Sequence, residues 1–349
     1  MTLPKVLIVG AGGIGTINAL ALDLNGKADA TLVVRSDYNL VKEKGYEINS
    51  SMYGNFHNWR PNHFVPSIDV AAKEHGPFDF IMVTTKNIPD GPSSCESIIE
   101  SAVTPGFTTI VLMQNGIDIE VPMKKAFPNN VVLSGVIYIG SSNENGVVTA
   151  KGTDTIRIGS FNDNPKEFAA MEKFAEIYQI EGKNTVVVDH ECRKARWEKL
   201  VYNVSFNPLT AIVNMDVNRC QIHGANETLI RPAMRELIAI AKSDGYDIPE
   251  KTMEFFIHIG DGFFYCPSMC IDTRKKQLME IEVILGNPLK VAEKNGVDAP
   301  ILNTFYNLLK LKQMQLKEDK GLVKIDKEDY VGNNSDEYPS IFIEKNNLK

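Results

Sequence analysis

Through residues 1–189 of the 349-residue chain, short β-branched apolar runs alternate with stretches of helical periodicity. The runs at 5–9, 30–34, 80–84, 108–112 and 131–137 are apolar almost throughout. Strands covered on both faces of a parallel sheet have that pattern, whereas half-exposed strands alternate. Between them, 14–24, 95–102 and 119–126 have the spacing of crossover helices, the first stopped by Asn25-Gly26. Further strands are predicted at 146–151, 155–159 and 185–188, with a helix at 165–178. This is a doubly wound α/β domain over 1–189. From His190 onward strand-like runs nearly vanish, and helices are predicted at 192–206, 226–244, 249–259, 273–285, 288–295 and 300–313. A second, all-helical domain over 190–317 follows, then a charged tail over 318–349 that is expected either to dock on the surface or to be mobile.

Length agrees with two domains at about 150 residues each. Lys plus Arg is 37 and Asp plus Glu is 44, a net charge of −7. That balance gives no broad attraction to polyanions, so neither nucleic acid nor a membrane surface is an expected partner. No apolar run approaches the roughly 18 residues of a membrane span, and residues 1–4 leave no room for a signal peptide, so a cytoplasmic location is expected. The cysteines Cys95, Cys192, Cys220, Cys266 and Cys270 are odd in number and scattered, which predicts reduced thiols and no metal site.

Gly10-Ala11-Gly12-Gly13-Ile14-Gly15 lies directly after a buried-strand pattern and before a helix pattern. In that context Gly10 permits a tight turn, Gly12 leaves room for a pyrophosphate, and Gly15 lets helix and strand pack closely. The helix N-terminus, entered through Gly13 and Ile14, offers free N–H groups to phosphates. Where an NAD site places an acid after the second strand, this chain has Arg35-Ser36. A guanidinium and a hydroxyl favour a 2′-phosphate, so NADP (as NADPH) is the expected cofactor. Asp37 comes next, where the chain is expected to have turned away.

Two strand ends run into polar sequence: Thr84-Thr85-Lys86-Asn87 and Gln114-Asn115-Gly116. Ligands of open α/β sheets bind at such ends, which makes Thr85, Lys86 and Asn115 candidates. Lys199, Asn203 and Asn207 are spaced four apart in apolar surroundings and share one helix face, with Pro208 predicted to break the helix near Asn207. Two amides and a lysine on an inward face need partners. Glu280, among Leu278, Met279 and Ile281, reads by itself as a surface acid.

Taken together, Gly10 to Gly15, Thr84-Thr85-Lys86, Gln114-Asn115-Gly116, Trp197-Glu198-Lys199-Leu200 with Asn203 and Asn207-Pro208-Leu209-Thr210-Ala211, and Ser268-Met269 twelve residues before Glu280 resemble the ketopantoate reductases. The resemblance runs from about residue 5 to about 312. It implies a Rossmann-type N-terminal domain, a helical C-terminal domain and NADPH-dependent reduction of 2-dehydropantoate to (R)-pantoate in the cleft between them. By that resemblance Lys199 is the general acid at the C2 oxygen, Glu280 orients it, and Asn115, Asn203, Asn207 and Ser268 hold substrate. Gly10, Gly12, Gly13, Ile14, Gly15, Arg35, Thr85, Lys86 and Asn115 hold cofactor. Two positions depart from the family pattern. Tyr265 stands where an asparagine often precedes the serine by three residues, and Val217 stands where another asparagine is expected, with Asn218 one residue late. A small 2-oxo acid is the expected partner, and a homodimer is compatible with the chain. The alternatives are reduction of another 2-oxo acid or ketone, and a non-catalytic NADPH-binding regulator; Lys199 and Glu280 speak against the latter.

Overall fold

The computed structural model describes residues 2–162 and 164–348. Ten strands form one mixed sheet: β1 (Lys5–Val9), β2 (Asp29–Val33), β3 (Tyr46–Ser50), β4 (Gly54–Trp59), β5 (His63–Val65), β6 (Phe80–Val83), β7 (Thr109–Leu112), β8 (Val132–Glu144), β9 (Val147–Ser160) and β10 (Asn184–Val188). Their order is β4-β3-β9-β8-β7-β6-β1-β2-β5, with β10 beside β9. From β5 to β8 every pairing is parallel. The apolar runs predicted for this stretch are buried almost throughout because helices cover both faces. Gly13–Asn25 and Pro165–Tyr178 cover one face, through Ile17, Leu20, Met171 and Phe174. Ile68–His75, Cys95–Ile99 and Glu120–Ala126 cover the other.

No strand follows Val188 among the described residues, so the expected α/β plus helical architecture is what forms. The second apolar face of the sheet continues into the helical part through Trp197, Leu200, Phe206, Leu237 and Leu309. One core therefore sets the two parts against each other and fixes the cleft at the carboxyl ends of β1, β6 and β7.

The structure corrects several boundaries. β3, β4 and β5 and the helices Tyr38–Lys44 and Ile68–His75 lie in a stretch with no predicted element. β4 and β5 end the strand order, and β4 reads Gly-Asn-Phe-His-Asn-Trp, largely exposed, so apolar patterning has little to mark there. The runs at 146–151 and 155–159 are one strand, and 131–137 extends to Glu144, where Asn145-Gly146, both with positive φ, turn the hairpin.

The helix expected over 192–206 ends at Asn203, and a second one spans Phe206–Val213. A proline obstructs the carbonyl four residues back, so the break falls at Val204-Ser205 rather than near Asn207, and Pro208 sits in the new first turn, where no N–H is needed. The helix expected over 273–285 is instead Ser268–Arg274, followed by a non-helical stretch and a new helical run after Glu280. Buried Gln313 causes this: its Oε1 accepts from Met279 N–H at 2.9 Å and its Nε2 donates to Met279 O at 3.0 Å, occupying both backbone groups that a helix would use. Pro300–Asp319 continues two residues into the segment expected as a tail, and buried Lys317, just before that segment, pairs with Asp90 at 2.8 Å. Beyond it, Tyr338–Lys345 is an exposed helix.

Candidate active site

The glycine turn has the shape that a dinucleotide needs. Gly10 has φ 115°, and a Cβ on Gly15 would lie 1.8 Å from Gly10 O, so both positions require glycine for the fold itself. A Cβ on Gly12 would meet nothing within 4 Å. Its missing side chain is therefore not a packing requirement, and the space in front of it is open. Gly12 caps the Gly13–Asn25 helix without a side-chain bond, and the first intrahelical bond runs from Thr16 N to Gly12 O at 3.0 Å. The N–H groups ahead of Thr16, those of Gly13, Ile14 and Gly15, are free for an anion. Thr84 Oγ1 donates to Gly10 O at 2.9 Å and holds the turn against β6, while Thr85 Oγ1 is buried without a partner beside it.

Arg35 is exposed just past β2 and lines a depression with Ile68, Asp69, Ser97 and Ser101. Asp37 has not turned away from the site. Asn143 Nδ2 donates to Asp37 Oδ2 at 3.2 Å and to Ala11 O at 2.9 Å, so the β8–β9 hairpin ties Asp37 to the glycine turn.

Glu280 is the centre of the cleft. It is 7% exposed, and the reading as a surface acid is overturned. Asn87 N–H donates to its Oε1 at 2.9 Å, and Asn115 Nδ2 donates to its Oε2 at 3.3 Å. The ends of β6 and β7 thus both grip a carboxylate from the helical part. Burial raises the pKa of Glu280, opposed by the Asn87 N–H, Lys86, Asn115 and Lys199. Lys199 is half-buried on the Cys192–Asn203 helix, with its Nζ 5.8 Å from the centre of the Tyr138 ring. Burial, reinforced by Arg196 and opposed by Glu280, brings its pKa down to about 8. Among the described residues no carboxylate lies within ion-pair distance of Lys199, so Glu280 acts on it through space.

Asn203 and Asn207 stay adjacent across the helix break, with Asn207 Nδ2 donating to Asn203 Oδ1 at 3.1 Å. Asn203 Nδ2 is buried without a partner. Ser268 opens the helix Ser268–Arg274, its side chain exposed and its Oγ donating to Asn207 Oδ1 at 3.4 Å. Lys86 pairs across the cleft with buried Asp272, and burial pushes the Lys86 pKa down. Asp272 carried no prediction, although it lies one helical turn after Ser268.

Arg196 was missed as well. It is 3% exposed, and its guanidinium donates to the carbonyls of Leu112 (3.1 Å), Gln114 (2.9 Å) and Gly116 (3.1 Å) and to Ser134 Oγ (2.8 Å). One turn before Lys199, it fixes the loop carrying Asn115 relative to the helix carrying Lys199. A cation between Ala195 and Trp197 was the available signal.

Of the two departures, Val217 is buried, and its N–H donates to Tyr265 O at 3.1 Å. Tyr265 is half-buried, with its hydroxyl 2.7 Å from that of Tyr202. In its hydrogen-bonding orientation Asn218 donates to Gly260 O (3.2 Å) and accepts from Phe263 N–H (3.1 Å), which commits it to a loop. All five cysteines are free thiols, and no metal-binding cluster occurs among the described residues. No helix there is long and apolar enough to cross a membrane.

Comparison with known proteins places these features. Residues 6–163 match the family described as "Ketopantoate reductase PanE/ApbA", and residues 191–313 match "Ketopantoate reductase PanE/ApbA C terminal". An uncharacterized protein of Saccharomyces cerevisiae, YDL144C, is 43% identical over 93% of this chain and 98% of its own length. The crystal structure of 2-dehydropantoate 2-reductase from Methylococcus capsulatus superposes with a TM-score of 0.75 at 29% identity, covering 89% of this chain and 97% of that one. A D-mandelate dehydrogenase solved with NADH and anilino(oxo)acetate shares the fold, with a TM-score of 0.78 at 20% identity over 90% of this chain and 99% of its own. The glycine turn, the cleft around Glu280 and both halves of the chain thus lead to one assignment: the protein belongs to the ketopantoate reductase family, oxidoreductases that reduce 2-oxo acids with a nicotinamide dinucleotide.

Proposed function

We propose that this protein uses NADPH to reduce the C2 ketone of a 2-oxo acid, 2-dehydropantoate to (R)-pantoate being the member of that class that its family relatives name. The observation that carries the reading is the buried Glu280 carboxylate, gripped by Asn87 and Asn115, with the half-buried Lys199 near enough to feel its charge.

The bound dinucleotide supplies the hydride. This chain supplies everything else. The free N–H groups behind Gly12 take the pyrophosphate, and Arg35 takes the 2′-phosphate through charge-assisted hydrogen bonds of roughly 1.5–3 kcal/mol. Lys86 and Thr85 lie where β6 meets the glycine turn and hold the cofactor on that side. Hydride arriving at C2 pushes negative charge onto the ketone oxygen, and the Lys199 ammonium stabilises that charge and delivers the proton. Glu280 keeps Lys199 charged in a site where burial works against it. Asn203 Nδ2, unpartnered in the protein, supplies a donor for the substrate carboxylate, and the Ser268 hydroxyl supplies a second by turning from Asn207 Oδ1.

A second reading keeps this chemistry and changes the substrate, favoured by Tyr265 and Val217 at positions where amides were expected. The test is a spectrophotometric screen of NADPH and NADH oxidation with purified protein over a panel of 2-oxo acids and neutral ketones. Ketone-dependent oxidation, lost in Lys199→Ala, is the expected result; binding of NADPH without turnover on any ketone would overturn the proposal.

A further inference from the structure

Lys199 carries the proton in the reading above, yet among the described residues no carboxylate stands within ion-pair distance of its Nζ, and Glu280 acts on it through space. What the ammonium does meet is a ring: its Nζ lies over Tyr138, 5.8 Å from the ring centre. An ammonium within about 6 Å of an aromatic face is attracted by the electron density there, more strongly where water is excluded.

The backbone aims Tyr138 at this contact. Leu112, the last residue of β7, pairs with Ser134, so β8 runs on past the carboxyl end of β7 to the level of the cleft. Ser134, Val136 and Tyr138 point to one face of β8. Ser134 Oγ accepts from Arg196 Nε at 2.8 Å, which turns that face toward the Cys192–Asn203 helix, and Tyr138 meets Lys199 one helical turn after Arg196. On β9 the residue opposite Tyr138 is Thr155, and the next on the same face is Arg157. Arg157 donates to Asp189 Oδ2 at 2.8 Å and pairs with Glu198, the chain neighbour of Lys199, so hairpin and helix are fastened beside the contact. Directly after Tyr138 the register of β8 on β9 shifts, from Tyr138 opposite Thr155 to Gly140 opposite Lys151, an irregularity of the kind that re-aims a side chain.

We propose that Tyr138 is a positioning residue whose ring face holds the Lys199 ammonium in place for proton delivery, an inference that rests on the reductase reading above. The charges facing Lys199 are Glu280 and Arg196, and those facing Tyr138 are Arg157, Glu198 and Asp189. A substitution at Tyr138 alters none of them, so the titration of Lys199 reads the ring.

Acetylation of Lys199 by trace acetic anhydride, followed by mass spectrometry against pH in the full-length protein, gives the midpoint of that titration without any ketone. Tyr138→Leu is expected to lower the midpoint by roughly half to one pH unit, the scale of a partly desolvated cation–π contact, and Tyr138→Phe, which keeps the ring, to leave it in place. Tyr138→Phe bearing two and then three ring fluorines keeps the shape while draining the ring face of electron density, so the midpoint should fall stepwise with fluorine number. A midpoint unmoved by the fluorines overturns the inference, whatever Tyr138→Leu does. With NADPH and a ketone that the protein reduces, the alkaline limb of kcat should move with the midpoint; a limb that stays while the midpoint moves overturns the role of the contact in proton delivery. Absence of turnover on every ketone of the screen above overturns the reductase reading, and the labelling midpoints then still decide whether the ring holds the ammonium.

Discussion

Asn115 and Glu280 meet across the cleft, Asn115 Nδ2 donating to Glu280 Oε2 at 3.3 Å while Asn87 N–H occupies the other carboxylate oxygen. The Glu280 carboxylate is thereby held by the carboxyl ends of two strands. Its position is set by the sheet, although its sequence neighbours belong to the helical part.

Glu280→Gln keeps the acceptor for Asn87 but removes the charge that favours protonated Lys199. With Lys199 as the proposed general acid, kcat is expected to be present below about pH 8 and lost as pH rises through that value. In the variant the pKa of Lys199 falls further, and the alkaline loss of kcat should move to lower pH. A pH–rate profile checks this, and an unmoved limb would show that Glu280 does not act on Lys199.

Lys199→Ala should lower kcat by roughly 10²–10⁴ and abolish the limb near pH 8, with the Kd for NADPH nearly unchanged. Steady-state kinetics and fluorescence titration separate these effects. A loss of tenfold or less would mean that the proton comes from another group.

Arg35→Ala should raise the KM for NADPH by about 10- to 100-fold and leave that for NADH almost unaltered, because only the former carries the 2′-phosphate. Equal changes for both cofactors would remove Arg35 from cofactor choice.

Gly12→Ala and Gly15→Ala separate binding from folding. The Cβ added at Gly12 meets nothing in the protein, so Tm should hold while NADPH affinity falls; at Gly15 it would collide with Gly10 O, so Tm itself should drop. Thermal unfolding with and without NADPH reads both. A normal Tm in Gly15→Ala would contradict the packing described for the turn.

Arg196→Met strips the hydrogen-bond donor from three backbone carbonyls and Ser134. Unsatisfied buried acceptors cost about 1–3 kcal/mol each, so a total loss of roughly 3–5 kcal/mol is expected after relaxation. Denaturant unfolding measures it; a loss below about 1 kcal/mol would show that those carbonyls find other partners.

Continuous apolar runs announced β1, β2, β6 and β7 because both faces of those strands are covered, and Gly10 to Gly15 announced the turn because its conformation excludes side chains. The edge strands β4 and β5 left no such trace. The segment after Ser268 shows the limit most sharply: its residues have helical spacing, yet Gln313 takes the backbone groups of Met279 and draws Glu280 out of any helix.

The sequence by itself determined the order of the parts, the dinucleotide turn and the identity of the charged and amide side chains, since these depend on local backbone geometry and burial pattern. Only the tertiary structure decided what those side chains do to one another. Burial turned Glu280 from an apparent surface acid into the centre of the cleft, paired Lys86 with Asp272, made Arg196 a clamp, and joined the hydroxyls of Tyr202 and Tyr265. Electrostatic and hydrogen-bond energies depend on distance and desolvation, which are set by the fold, so spacing along the chain carries no measure of them.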